Sequence, residues 1–286
     1  MRVLVFGTTG QVARELARRA AARGVEVDAL GRSEADLADP EACAAAVAAT
    51  GAGVVINAAA YAAVDRAESE PEVAHRINAE APAAMACAAA ARSLPFLHVS
   101  TDYVFDGTPG RPWREDDPPA PLNTSGASKL AGERAVAAAG GATAILRTAW
   151  VFSAHGSNFV KTMLRLGAER DHLRVVDDQR GGPTPAADIA GALLIMAEAL
   201  AAGYGATGIF HFAGAPVVSW AGFAEAIFAV RGGTPPAIER IPSRAWPVPA
   251  ERPKNSVLDC SRIAAAYGIA QPDWRPRLEE VIGELT

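Results

Sequence analysis

Short apolar runs alternate with helical spacings through the first half of this 286-residue chain, and that rhythm constrains its fold more than any other feature. Residues 2–6, 25–30, 54–58, 96–100 and 144–147 read as strands. Residues 11–23, 40–50, 71–92 and 124–139 read as the helices between them. In the first of these helices Val12, Ala13, Leu16, Ala17 and Ala20 recur at helical spacing. Strands joined by crossover helices lie parallel and are covered on both faces. The expectation is therefore an α/β fold built on a doubly wound parallel sheet. After Trp150 the rhythm loosens. Residues 158–169, 187–201 and 219–230 look helical, and 209–213 look like a short strand. The glycines and prolines between Gly232 and Pro253 argue for loops and edges. A smaller C-terminal lobe over 151–286 is expected beside a first domain over 1–150, with a soft boundary and some segments returning to the first domain.

Composition narrows the function. A net charge of -5 argues against a general nucleic-acid or membrane-surface binder. Cys43, Cys87 and Cys260 are odd in number and lack CxxC spacing, so a disulfide scaffold is not expected and a cytoplasmic location is. Three small buried thiols are the preferred reading. The histidines form no ligand spacing, and no metal site is expected. Residues 1–6 are too short an apolar run for a signal peptide, and neither alanine-rich run reaches the length of a membrane span.

Gly7-Thr8-Thr9-Gly10-Gln11-Val12-Ala13 follows the first strand and opens the first helix. Glycines there permit a tight turn and a close approach to a pyrophosphate, whose charge the helix N-terminus meets. Gly7, Thr9, Gly10, Gln11 and Val12 are accordingly candidates for a dinucleotide, and the sheet is expected to be of the Rossmann type. Asp28 falls inside the second strand and reads as structural. At the strand tip Arg32 is a candidate for a 2′-phosphate, which would favour NADPH over NADH, against the plainer reading of a solvated arginine. Asp36 and Leu37 are candidates to line the adenine. Ala58, Ala59, Ala60 and Tyr61 leave the third strand, where small residues let the backbone lie close to a cofactor or simply pack.

The fourth strand runs into Ser100-Thr101-Asp102-Tyr103. An open α/β fold places its chemistry at such an edge. Reducing a ketone needs a hydride on carbon and a proton on oxygen. In extended short-chain dehydrogenases a tyrosine supplies the proton, and a lysine four residues later binds the nicotinamide ribose and lowers the phenol's pKa. Thr101 and Lys129 fit two of the roles in that constellation. The third position is Ser125, which is shorter than tyrosine and a much weaker acid than a phenol of pKa about 10. Ser125 is also a plausible N-cap for the helix it opens.

The chain resembles the dTDP-4-dehydrorhamnose reductase family across nearly its whole length. The resemblance rests on VINAAAYAAVDRAE (55–68), STDYVFDG (100–107), SKLAGE (128–133), LRTAWVF (146–152), GSNFVKTML (156–164), DQRGGPTPAAD (178–188) and RPKNSVL (252–258). The departure is Ser125, where the family carries tyrosine. The resemblance implies reduction of a dTDP-linked 4-keto sugar to dTDP-L-rhamnose with NADPH or NADH. It implies that Thr101, Asp102 and Tyr103 face the sugar, that Trp150 packs on it, and that Lys129 binds the cofactor ribose. Arg252 and Asn255 are implied for the diphosphate, with Asn158 and Gln179 as weaker substrate contacts. Trp220 reads as core of the small lobe. The expected partner is the dTDP-sugar, with no nucleic acid and no membrane, in a monomer or homodimer. Two rival readings stay open: a non-catalytic, NADP-binding regulatory subunit on the same fold, and a reductase or epimerase of another nucleotide-linked keto sugar.

Overall fold

The computed structural model describes residues 1–108 and 110–285. The first half runs β1 (Arg2–Phe6), α1 (Gln11–Ala20), β2 (Glu26–Leu30), α2 (Pro40–Ala49), β3 (Val54–Asn57), α3 (Val64–Ala67), α4 (Pro71–His75), α5 (Ala81–Ala91), β4 (Phe96–Thr101), α6 (Thr124–Ala138) and β5 (Thr143–Thr148). The second half runs β6 (Val151–Phe152), α7 (Phe159–Glu169), β7 (His172–Val176), β8 (Arg180–Gly181), β9 (Thr184–Pro185), α8 (Ala186–Ala201), β10 (Gly208–His211), β11 (Val218–Ser219), α9 (Trp220–Arg231), β12 (Ala237–Ile241), α10 (Ser261–Tyr267) and α11 (Trp274–Leu285).

Six strands form one sheet in the order β10-β5-β4-β3-β1-β2, and every pairing in it is parallel. Strand periodicity explains how both faces are covered. Val3 and Val5 join the core beneath α1 and α8, while Leu4 and Phe6 join the opposite core with Val47 of α2 and Met85 of α5. The chain steps from β1 outward to β2 and then returns to place β3 on the other side of β1. That reversal opens a crevice at the carboxyl ends of β1 and β3, where this kind of sheet binds its ligands.

Elements of the second half complete the first. Strand β10 pairs with β5, and α8 packs on α1. A separate core holds much of the second half, with Phe152, Val160, Leu173, Phe223, Ile227, Trp274 and Leu278 among its buried residues, while Leu258, Cys260 and Ile263 join the first core. The proline-dense stretch, read as loops and edges, contributes an edge. It contains β12, which pairs in parallel with β7 over five residues. Their sheet has two strands, so both are edges, where neighbouring prolines are tolerated. Cysteine burial is corrected: Cys43 and Cys260 are buried, but Cys87 is exposed. Among the described residues, no helix is long and apolar enough to cross a membrane, and no group of three or more His, Cys, Asp or Glu side chains could hold a metal.

Candidate active site

The β1–α1 turn is shaped for an anion. Gly7 sits at φ +117°, and a Cβ there would stand 3.3 Å from the Ala13 Cβ and 3.5 Å from the Ala59 Cβ. Helix α1 starts at Gly10 with no side-chain cap, which leaves its first N–H groups for a ligand. A trough of about 390 Å³ runs over this turn, lined by Gly7, Thr9, Gly10, Gln11, Val12, Arg32, Asp36, Leu37 and the segment Ala58–Ala62. The residues that the sequence assigned to a dinucleotide therefore meet in one place. The Arg32 side chain is 82% exposed, with Asp36 3.9 Å away. The Gln11 side chain is engaged, accepting from Ser153 Oγ and Asn158 Nδ2 at 2.9 Å each.

A second cavity of about 480 Å³ shares Ala58–Ala62 and Val151 with the trough, so the two form one continuous cleft. Thr101, Asp102, Tyr103, Ser125, Lys129 and Trp150 all line it. Thr101 ends β4 and turns the chain, because its hydroxyl accepts from the Tyr103 N–H at 3.2 Å and donates to Asp102 Oδ1 at 3.0 Å. Asp102 is 3% exposed, and its second oxygen has no hydrogen-bond partner in the protein. Burial raises its carboxyl to about 6, against the pull of the Ser256 and Thr101 hydroxyls. Burial likewise raises the Tyr103 phenol, with Asp102 adding to the effect and Arg252 opposing it.

The N-cap of α6 is Asn123, not Ser125. Asn123 Oδ1 accepts from the Gly126 N–H at 2.8 Å, while its Nδ2 donates to the Glu251 carbonyl at 2.7 Å. Asparagine tethered on both sides outcompetes a serine that sits inside the first turn. Gly126 lets this turn meet the Thr101–Tyr103 turn, since a Cβ there would stand 2.1 Å from the Tyr103 carbonyl oxygen. Ser125 and Lys129 therefore share the helix face that lines the cavity.

Lys129 is buried, at 5% exposure. Its Nζ donates to the Val99 carbonyl at 2.5 Å and stands 3.1 Å from His98 Nε2. Asn57 Nδ2 stands 3.2 Å from His98 Nδ1, and Asn57 Oδ1 accepts from the Ala59 N–H. Burial pushes Lys129 down to about 8, although Glu133 pulls the other way. Burial, and then the Lys129 charge, holds His98 well below its usual value. A second buried asparagine braces the cofactor side. Asn78, in a π-helical turn before α5, accepts from the Tyr61 N–H at 2.9 Å and donates to Ser128 Oγ at 3.0 Å.

Other sequence candidates fall differently. Trp150, at φ +49°, stacks on Trp220 with ring centroids 3.5 Å apart. Trp220 therefore forms cavity wall and is not merely core. Asn158 lines the cavity, but it caps α7 and donates to Gln11, Ser153 and His155. Gln179, Arg252 and Asn255 line neither cavity. Gln179 joins Trp220 Nε1 to Ser243 Oγ. Arg252 grips Asp65 through two bonds of 2.6 and 2.9 Å. Asn255 donates to the Arg111 carbonyl and accepts from the Val257 N–H. Their polar ends serve the loops that wall the cleft. Asn57, Asn78 and His98 escaped the sequence reading. Their only signal was a polar side chain within or beside an apolar run, which has no meaning until its neighbours are known.

Comparison with known proteins agrees with this geometry. The family model described as RmlD substrate binding domain matches residues 1–286. A dTDP-4-dehydrorhamnose reductase of Burkholderia thailandensis is 48% identical over 96% of both chains. One of Sinorhizobium fredii is 42% identical over 100% of this chain and 98% of its own. Among solved structures, the Clostridium acetobutylicum dTDP-4-dehydrorhamnose reductase superposes with a TM-score of 0.93 at 35% identity, covering 100% of this chain and 99% of that one. The Bacillus anthracis enzyme of the same name, solved in complex with NADP, gives 0.91 at 31% identity, covering 99% of each. With likeness end to end in sequence and in fold, the chain belongs to the dTDP-4-dehydrorhamnose reductase family.

Proposed function

We propose that the chain reduces the 4-keto group of dTDP-4-dehydro-6-deoxy-L-mannose to give dTDP-L-rhamnose, using NADPH or NADH. One observation carries the reading: the Thr101 hydroxyl group's residue and Lys129 line the same cavity, which opens into the trough over the glycine turn. Had they faced separate cavities, hydride transfer to a held carbonyl would have no site.

The fit to a dinucleotide rests on the uncapped start of α1 and on Gly7, whose missing Cβ leaves room beside Ala59. The first N–H groups of α1 would hold the pyrophosphate, Leu37 and Asp36 the adenine side, and Ala58–Tyr61 the nicotinamide half. When bound, the nicotinamide supplies hydride. The remaining work belongs to the chain's own residues. Thr101 offers a hydroxyl to the carbonyl oxygen, Trp150 and Trp220 wall the sugar, and Lys129 presents its amine to the cofactor ribose. A cytoplasmic setting, with its NADPH and its reducing thiol pool, suits this reading and the free cysteines.

The test is oxidation of NADPH by the purified chain in the presence of the dTDP-4-keto sugar, with the product identified as dTDP-L-rhamnose. Ser125 at the tyrosine position favours one rival, a regulatory subunit that binds cofactor without turnover. Calorimetry that finds NADPH binding but no binding of dTDP-L-rhamnose would support that rival.

A further inference from the structure

We infer that Lys129 is the proton carrier of this site: its neutral amine docks on His98 and Val99, and its ammonium form delivers the proton to the reduced sugar oxygen. This rests on the reductase reading above. The argument comes from the direction of one buried chain of hydrogen bonds. The Ala59 N–H donates to Asn57 Oδ1, which turns the Asn57 amide N–H toward His98 Nδ1 at 3.2 Å. Nδ1 therefore offers a lone pair. Asn57 and His98 are fully buried, and a neutral imidazole with an accepting Nδ1 carries its proton on Nε2. That Nε2–H faces Lys129 Nζ at 3.1 Å. An ammonium has three donors and no lone pair, so it would set N–H against N–H. A neutral amine accepts from His98 and donates to the Val99 carbonyl at 2.5 Å. All the bonds then run one way, from Ala59 through Asn57, His98 and Lys129 to Val99.

The position four residues before Lys129 supplies no such carrier. Ser125 has no phenol to give, and its alcohol is too weak an acid to replace one. Hydride adds to the carbonyl carbon, and the π pair of the C=O bond moves onto oxygen. An N–H bond of the Lys129 ammonium breaks, its proton goes to that oxygen, and its electron pair stays on nitrogen. The His98 Nε2–H then bonds this pair, and solvent returns the proton. The charged and titratable groups around the amine are His98 on β4, Asp102 and Tyr103 in the turn after it, Tyr61 beyond β3, and Glu133 on α6. Glu133 is itself paired with Arg147 of β5 at 2.6 Å, which blunts its preference for the ammonium.

The chain has three lysines, Lys129, Lys161 and Lys254, so lysine labelled at Cε gives a resolvable NMR titration. The Lys129 signal, assigned by its loss in Lys129→Arg, is expected to titrate near 8, below the ordinary lysine value of about 10.4. His98→Gln, whose amide oxygen accepts from an ammonium, is expected to raise it. His98→Asn, which offers the same amide oxygen on a shorter side chain, serves if the glutamine variant fails to fold. In the same variants the alkaline fall of kcat is expected to move upward with the titration. Lys129 titrating with the other lysines overturns the inference, as does an alkaline limb that stays in place. A wild-type chain without turnover beside an active Ser125→Tyr variant removes the donor role and keeps the reductase reading. Inactivity of both removes that reading itself.

Discussion

Asp102→Asn isolates the electrostatic cost of building this cleft. The carboxyl is 3% exposed, and burial lifts it from an ordinary 3.8 to about 6. That is roughly two units, and at about 1.36 kcal/mol per unit the ionised form costs the folded state about 2–3 kcal/mol. The sign follows from linkage. The folded protein holds this proton more tightly than the unfolded chain. Its contribution to stability is therefore full below 3.8, falls away as pH rises to about 6, and stays lost above that. Asparagine keeps the shape and carries no charge. Urea denaturation of both proteins across this range should give nearly equal stability at about pH 4, with the variant ahead by about 2–3 kcal/mol at about pH 8. All other titrating groups are common to the two proteins and cancel in the difference. A gap that is the same at both pH values would refute the reasoning, because a packing or hydrogen-bond effect has no such dependence.

Ser125→Tyr restores a phenol four residues before Lys129 and should raise turnover of the dTDP-4-keto sugar by roughly 10²–10⁴-fold; an unchanged steady-state rate would mean that the phenol is not the missing acid. Gly7→Ala places a Cβ 3.3 Å from the Ala13 Cβ at φ +117° and should cost about 1–3 kcal/mol of stability, with weaker NADPH binding by calorimetry. Among the thiols, Cys87 is exposed, whereas burial raises Cys43 to about 11 and Cys260 to about 12. One equivalent of a thiol reagent should therefore react quickly in the native state, and mass mapping should find it on Cys87.

Much of this molecule was legible before any coordinates. The apolar run of β1, the glycine turn and the spacing of α1 are local signals, and local signals survive in a linear string. Thr101, Ser125 and Lys129 were readable for the same reason: a strand end and one helix turn set their relation. The strand at Ala237–Ile241 could be placed no more finely than among loops and edges, because its partner β7 lies more than sixty residues earlier. Arg252 shows the same limit. The family resemblance pointed it to a diphosphate, and only the fold shows that its guanidinium pairs with Asp65, from the other half of the chain.

The order of residues determined which strands could exist, where a dinucleotide could be held, and that no phenol stands four residues before Lys129. Tertiary structure alone decided what that lysine faces. His98 and Asn57 belong to neighbouring strands, and only sheet register brings them into line beneath the amine. The physical reason is that protonation is set by desolvation and hydrogen-bond direction, and both arise from residues far apart in the chain that meet only when it folds.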